Sequence, residues 1–231
     1  MNPIIVALDV PDIMVAADLV EELAPHVGLF KVGLELITST ALGYNSIIDL
    51  PVPDQSILLD LKLHDIPNTM AAAVRRAAAS PKLWGVTIHA SAGLAGLQAA
   101  FVEKKHLNLC AVTVLTSHSE ESCGAVYGDS VEHAVLRFAR LAWGTRMDAI
   151  ICSPKELTLI KNALGDDVPP LRITPGVRPL WADNNDQARV MRPAEAIRAG
   201  ATHLVIGRPI TNPPDGMSPA QAADRILTEL A

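Results

Sequence analysis

The sequence predicts an α/β fold, and within that class a single (β/α)8 TIM barrel. Three observations carry the prediction. Short apolar runs alternate with amphipathic helical stretches from end to end, eight such units fit the chain, and no Gly-rich nucleotide turn follows the first run. Alternating strands and helices build a parallel sheet, and eight units within 231 residues build a closed barrel. An open doubly wound sheet is the runner-up, and the missing glycine turn weighs against it. No linker, repeat or low-complexity stretch divides the chain, so residues 1–231 read as one catalytic domain.

The elements follow in order. Residues 4–8 form the first strand, and residues 13–23 repeat their apolar positions at helical spacing. Residues 29–33 form the second strand. Residues 57–61 are an almost unbroken apolar run, the pattern of a strand buried on both faces. A helix is expected over 69–79, then strands over 86–89 and 109–114. The stretch 131–143 is helical, and 149–152 and 171–174 are the sixth and seventh strands. Pro193 and Pro219 suit first helical turns, flanking the last strand at 204–206; the closing helix spans 219–230.

Composition narrows the function. The formal net charge is -6, against the basic excess of a nucleic-acid groove, though a local arginine cluster would still hold a small anion. The tryptophans Trp84, Trp143 and Trp181 are scattered and make no stacking platform. Three cysteines make no disulfide framework. Cys110 and Cys152 sit in strand-like runs as small core residues, and Cys123 is expected in a polar loop. A reducing, cytoplasmic setting fits. No basic segment leads into an apolar core at the N-terminus, and no apolar stretch approaches a membrane span, so neither signal peptide nor membrane association is expected. No His, Cys, Asp or Glu cluster has zinc spacing.

The chemistry is concentrated in Asp60-Leu61-Lys62-Leu63-His64-Asp65-Ile66, directly after Ile57-Leu58-Leu59. Strand alternation projects Asp60 and Lys62 the same way, about 6–7 Å apart. Charges at the end of an apolar strand are costly unless paired, and leucines would have served stability better. A buried ion-pair network that only fixes register is the competing reading. Function in such barrels gathers at the C-terminal ends of the strands. Asp9, Lys31, Asp60, Lys62, His89, Thr116, Ser117, Arg178 and Arg208 all fall there. His64 and His89 are read as structural, with His89 bracing the barrel mouth.

The seventh and eighth strands lead into Thr174-Pro175-Gly176-Val177-Arg178 and Gly207-Arg208-Pro209-Ile210. Each loop offers a glycine that lets backbone approach a ligand and an arginine that can fork onto an oxyanion. Barrels often bind phosphate at this place. The polar stretch from Pro179 to Gln187 reads as a lid whose far end returns to the phosphate.

With both ends assembled, the chain resembles the orotidine 5'-phosphate decarboxylase family of bacterial type, over essentially its whole length. The resemblance rests on Ala7-Leu8-Asp9, Phe30-Lys31-Val32-Gly33, Asp60 through Thr69, Val112 through Ser117, Thr174 through Arg178 and Ile206-Gly207-Arg208. It implies decarboxylation of orotidine 5'-phosphate to uridine 5'-phosphate in pyrimidine biosynthesis, with no metal or organic cofactor. It implies a catalytic tetrad of Lys31, Asp60, Lys62 and Asp65, in a homodimer where Asp65 and Thr69 reach the partner's site. It gives Asp9 a ribose hydroxyl and Thr116 or Ser117 the pyrimidine. Pro175, Arg178, Gln187, Gly207 and Arg208 fall to the phosphate end.

Loss of carbon dioxide from that substrate leaves an in-plane carbanion at ring carbon six, which ring resonance cannot absorb. No pyridoxal or thiamine signature supplies an electron sink, so electrostatics must. Lys62 would stabilise the charge and then protonate the carbon. Asp60 would act either by stressing the substrate carboxylate or by orienting Lys31 and Lys62. Two alternatives remain: a metal-dependent sugar-phosphate decarboxylase or aldolase of the same suprafamily, and a catalytically inactive nucleotide-binding barrel.

Overall fold

The computed structural model describes residues 2–39, 43–182, 191–214 and 216–230. Eight strands run β1 Ile4–Ala7, β2 Leu29–Gly33, β3 Ile57–Leu63, β4 Leu83–His89, β5 Asn108–Val112, β6 Ala149–Ile151, β7 Leu171–Thr174 and β8 His203–Ile206. Each pairs in parallel with the next, and β1 closes on β8, making the expected barrel. β2 and β7 have the predicted bounds. β1 and β6 end one residue early and β5 two, yet Leu8, Thr113 and Cys152 still donate backbone bonds to the neighbouring strand at 2.9–3.3 Å. The pairing thus outlasts the regular strand.

Two layers of apolar packing hold the barrel. Side chains pointing outward, such as Ile4, Val6, Val32, Leu59 and Val86, are fully or almost fully buried beneath the surrounding helices. Side chains pointing inward, Ile5, Leu29, Leu58, Cys110, Ala149 and Ile173, fill the interior. That interior is a packed core rather than a pore, so the mouth above it is the place for a ligand.

The helices start where local chemistry allows. Ile13–Leu23 is capped by Asp12, whose carboxylate accepts the Met14 N–H at 2.8 Å. Pro67–Ala77 begins two residues before the predicted start, with Pro67 in its first turn. Ile66 precedes it in an extended conformation, its N–H held by Asp65 Oδ1 at 2.7 Å. β4 begins three residues before the predicted start. Cys123 corrects the expectation of a loop: it lies fully buried on the helix Glu120–Tyr127, which Ser119 and Ser122 cap reciprocally. Among the described residues no helix is long and apolar enough to cross a membrane.

Candidate active site

Strand alternation raises a polar layer on top of the apolar one. Two residues beyond the inward Leu29 stands Lys31, and two beyond the inward Leu58 stands Asp60. The parallel register sets Lys31 beside Leu58 and Gly33 beside Asp60. Gly33 keeps this corner open: a Cβ there would lie 3.2 Å from Lys31 Nζ and 3.5 Å from Asp9 Oδ1.

The charges form a chain. Asp9 Oδ1 accepts from Lys31 Nζ at 2.9 Å, and Lys31 Nζ lies 3.4 Å from Asp60 Oδ2. Lys62 Nζ donates to the same Asp60 oxygen at 2.9 Å. Asp60 Oδ1 accepts from the Thr87 hydroxyl at 2.9 Å. Burial works against the Asp60 carboxylate, but Lys31, Lys62 and the Thr87 hydroxyl outweigh it and hold its pKa below the ordinary value. Burial also opposes the Lys31 ammonium, and Asp60 with Asp9 overcomes it, raising that pKa. Lys62 is the more open partner, its side chain 37% exposed against 11% for Asp60, so its ammonium faces the cavity.

The bond pattern differs from simple strand alternation at Lys62. The register passes from Leu59 opposite Val86 to Leu63 opposite Ile88, so β3 uses two more residues than β4 over that rise. Lys62 takes up the bulge with φ +49°, in the left-handed region where a long side chain is rare. Its N–H leaves the ladder and donates to Thr87 Oγ1 at 2.8 Å.

A cavity of about 590 Å³ opens over this cluster, a volume suited to a small-molecule site. Asp9, Lys31, Asp60 and Lys62 line one side, Thr116 and Ser117 another. Pro175, Gly176, Arg178, Gly207 and Arg208, from the loops after β7 and β8, complete the lining. Gly176, at φ +76°, turns the loop after β7 so that Arg178 N–H bonds Met191 and Met191 N–H returns to Gly176. Arg178 is thereby buried, whereas Arg208 is exposed at the rim directly after β8. Two arginines from neighbouring loops lining one cavity suit an oxyanion.

Not every expected residue meets there. Asp65 and Thr69 are exposed and do not line this chain's cavity. Gln187 lies outside the described residues, as does most of the stretch expected to be a lid. His89 stacks on His64 at 5.8 Å between ring centroids, and its Nδ1 is bonded to Ser91. Burial, then His64 and Lys62, push its pKa down to about 4, so it stands neutral as a brace. Cys152 lines the floor, but burial pushes its thiol up, away from a reactive thiolate. Among the described residues no three His, Cys, Asp or Glu side chains gather to hold a metal. Thr87 was not legible as a site residue, because threonine is an ordinary strand former. Its signal was parity: it stands beside the inward Cys110.

Comparison with known proteins identifies the family. The model of the family described as "Orotidine 5'-phosphate decarboxylase / HUMPS family" matches residues 2–226. The orotidine 5'-phosphate decarboxylase of Moorella thermoacetica is 44% identical, over 96% of this chain and 90% of its own length. That of Alkalilimnicola ehrlichii is 42% identical, over 99% and 96%. The crystal structure of orotidine 5'-phosphate decarboxylase from Lactobacillus acidophilus superposes with TM-score 0.81 at 30% identity, covering 100% of this chain and 99% of that one. Barrel, charged cluster, arginine pair and relatives converge, and the chain belongs to the orotidine 5'-phosphate decarboxylase / HUMPS family.

Proposed function

We propose that this barrel decarboxylates orotidine 5'-phosphate to uridine 5'-phosphate in pyrimidine biosynthesis, in the cytoplasm and without metal or organic cofactor. The observation that carries the reading is the Lys62 ammonium, paired to a buried Asp60 in a cavity that Arg178 and Arg208 also line. Arg178, Arg208 and Gln187 take the phosphate, with Pro175 and Gly207 shaping its loops. Asp9 and Lys31 take ribose hydroxyls, and Thr116 or Ser117 meets the pyrimidine.

As carbon dioxide departs, the electron pair of the breaking bond stays on ring carbon six. The Lys62 ammonium stabilises that pair and donates a proton to it, and the resulting amine regains its proton from solvent. Both Asp60 oxygens already have donors, which favours the orienting role over stress on the substrate carboxylate. The exposed Asp65 and Thr69 complete the site from the partner in a homodimer.

The test is the fall in absorbance of orotidine 5'-phosphate on adding metal-stripped protein, with Lys62→Ala alongside. Turnover by the parent and a loss of at least about 10³-fold in the variant are expected, as for removal of a principal electrostatic stabiliser. An inert but folded parent, or an active Lys62→Ala, would overturn the reading. Magnesium-dependent turnover of sugar phosphates would then point to the metal-dependent branch.

A further inference from the structure

We propose that Thr87 is the positioning residue of the charged cluster: one hydroxyl, fully buried, fixes both the Asp60 carboxylate and the backbone bulge that presents Lys62. The inference rests on the decarboxylase reading and deepens it. Its ground is the direction of two hydrogen bonds. The Lys62 N–H can only donate, and it points at Thr87 Oγ1 at 2.8 Å. The single hydroxyl proton of Thr87 is therefore free to go to Asp60 Oδ1, 2.9 Å away. Asp60 in turn accepts from Lys62 Nζ through its other oxygen at 2.9 Å.

These bonds close a ring from the Lys62 backbone to the Lys62 ammonium by way of Thr87 and Asp60. The ring fixes both ends of a flexible side chain. It also gives a partner to a backbone N–H that the two-residue bulge removes from the strand ladder. A left-handed conformation at Lys62 persists only where its surroundings hold it, and Thr87 on β4 is such a hold. Thr87 does not line the cavity, so it acts through Asp60 and Lys62 rather than on substrate.

The experiment compares kcat and KM for orotidine 5'-phosphate in the parent, Thr87→Val and Thr87→Ser, with thermal melting of each. Valine keeps the shape and removes the hydroxyl; serine keeps the hydroxyl. We expect Thr87→Val to lose about 10²-fold in kcat, the scale of misplacing a reacting group by about 1 Å. KM should stay within about threefold, because Arg178 and Arg208 are untouched. Thr87→Ser should restore kcat to within about threefold of the parent. Equal losses in both variants, an unchanged kcat in Thr87→Val, or a change confined to KM would overturn the assignment. Should Thr87→Val not fold, Thr87→Ala is judged against Thr87→Ser by the same criteria. An active parent with an indifferent Thr87→Val defeats only this inference, whereas an inert parent defeats the decarboxylase reading and this inference with it.

Discussion

His89 shows how a single buried side chain writes a pH dependence into this protein. Its pKa falls from 6.5 to about 4 on folding, through burial first and the neighbouring His64 and Lys62 next. As pH drops below about 6.5, the unfolded chain binds a proton at this residue while the folded chain does not. Protonation therefore favours unfolding between about pH 6.5 and 4. The stability is complete above that window and declines as pH falls through it. Discounting for solvent screening, the loss is on the order of 1–2 kcal/mol, or a few degrees in Tm. His89→Asn carries no such proton, so its Tm should fall less than the parent's between pH 6.5 and 4. Melting curves at several pH values check this, and parallel declines would show that His89 titrates alike in both states. The Ser91 hydroxyl and backbone N–H, both turned to Nδ1, are what a neutral ring accepts.

Among the elements, β4 and β5 make the tightest junction that bears on the site. A Cβ on Gly85 would stand 2.6 Å from the Asn108 carbonyl oxygen, which is backbone and has no room to turn aside. Gly85→Ala must spread the two strands. It should cost about 1–3 kcal/mol, as over-packing of a filled core does, lowering Tm by several degrees. Because Thr87 lies two residues further along β4, kcat should fall as well; an unchanged melting curve would show that the strands yield freely. This close approach also explains what the sequence concealed. Strand β2 was legible because Leu29–Gly33 is apolar except for one lysine, Lys31. The start of β4 was not, because Gly85 interrupts the apolar run for a reason that only β5 supplies. The Asp60–Lys62 pairing was legible from spacing and charge. The bulge between them was not, since a left-handed lysine leaves no mark in composition and is held by a threonine from another strand. Cys123 misled for a related reason: its polar neighbours cap a helix rather than form a loop.

For the whole molecule, the homodimer proposed above gives the exposed Asp65 a place in a second mouth, and that placement is testable. Lys31, Asp60 and Lys62 are mutually paired, yet Asp65 stands outside the cavity on an exposed turn. Beside it Ile66 is 66% exposed, and Leu94 on the helix Gly93–Glu103 is 52% exposed. An apolar side chain next to a displaced acid suits an interface that carries Asp65 into a second mouth. If so, Asp60→Ala and Asp65→Ala are each inactive for different halves of one site. A mixed dimer then holds one site with both defects and one with neither. Equal mixing makes about half of the dimers mixed, so about a quarter of the parent's activity should return. Either variant alone should recover nothing at the same total concentration, and dilution below the dissociation constant of the dimer should abolish the gain. Subunit exchange is followed separately, by mass-tagged chains. Exchange without recovered activity would mean that each barrel holds its own complete site. Asp65 would then serve only to hold the Ile66 N–H at the entry to the helix Pro67–Ala77.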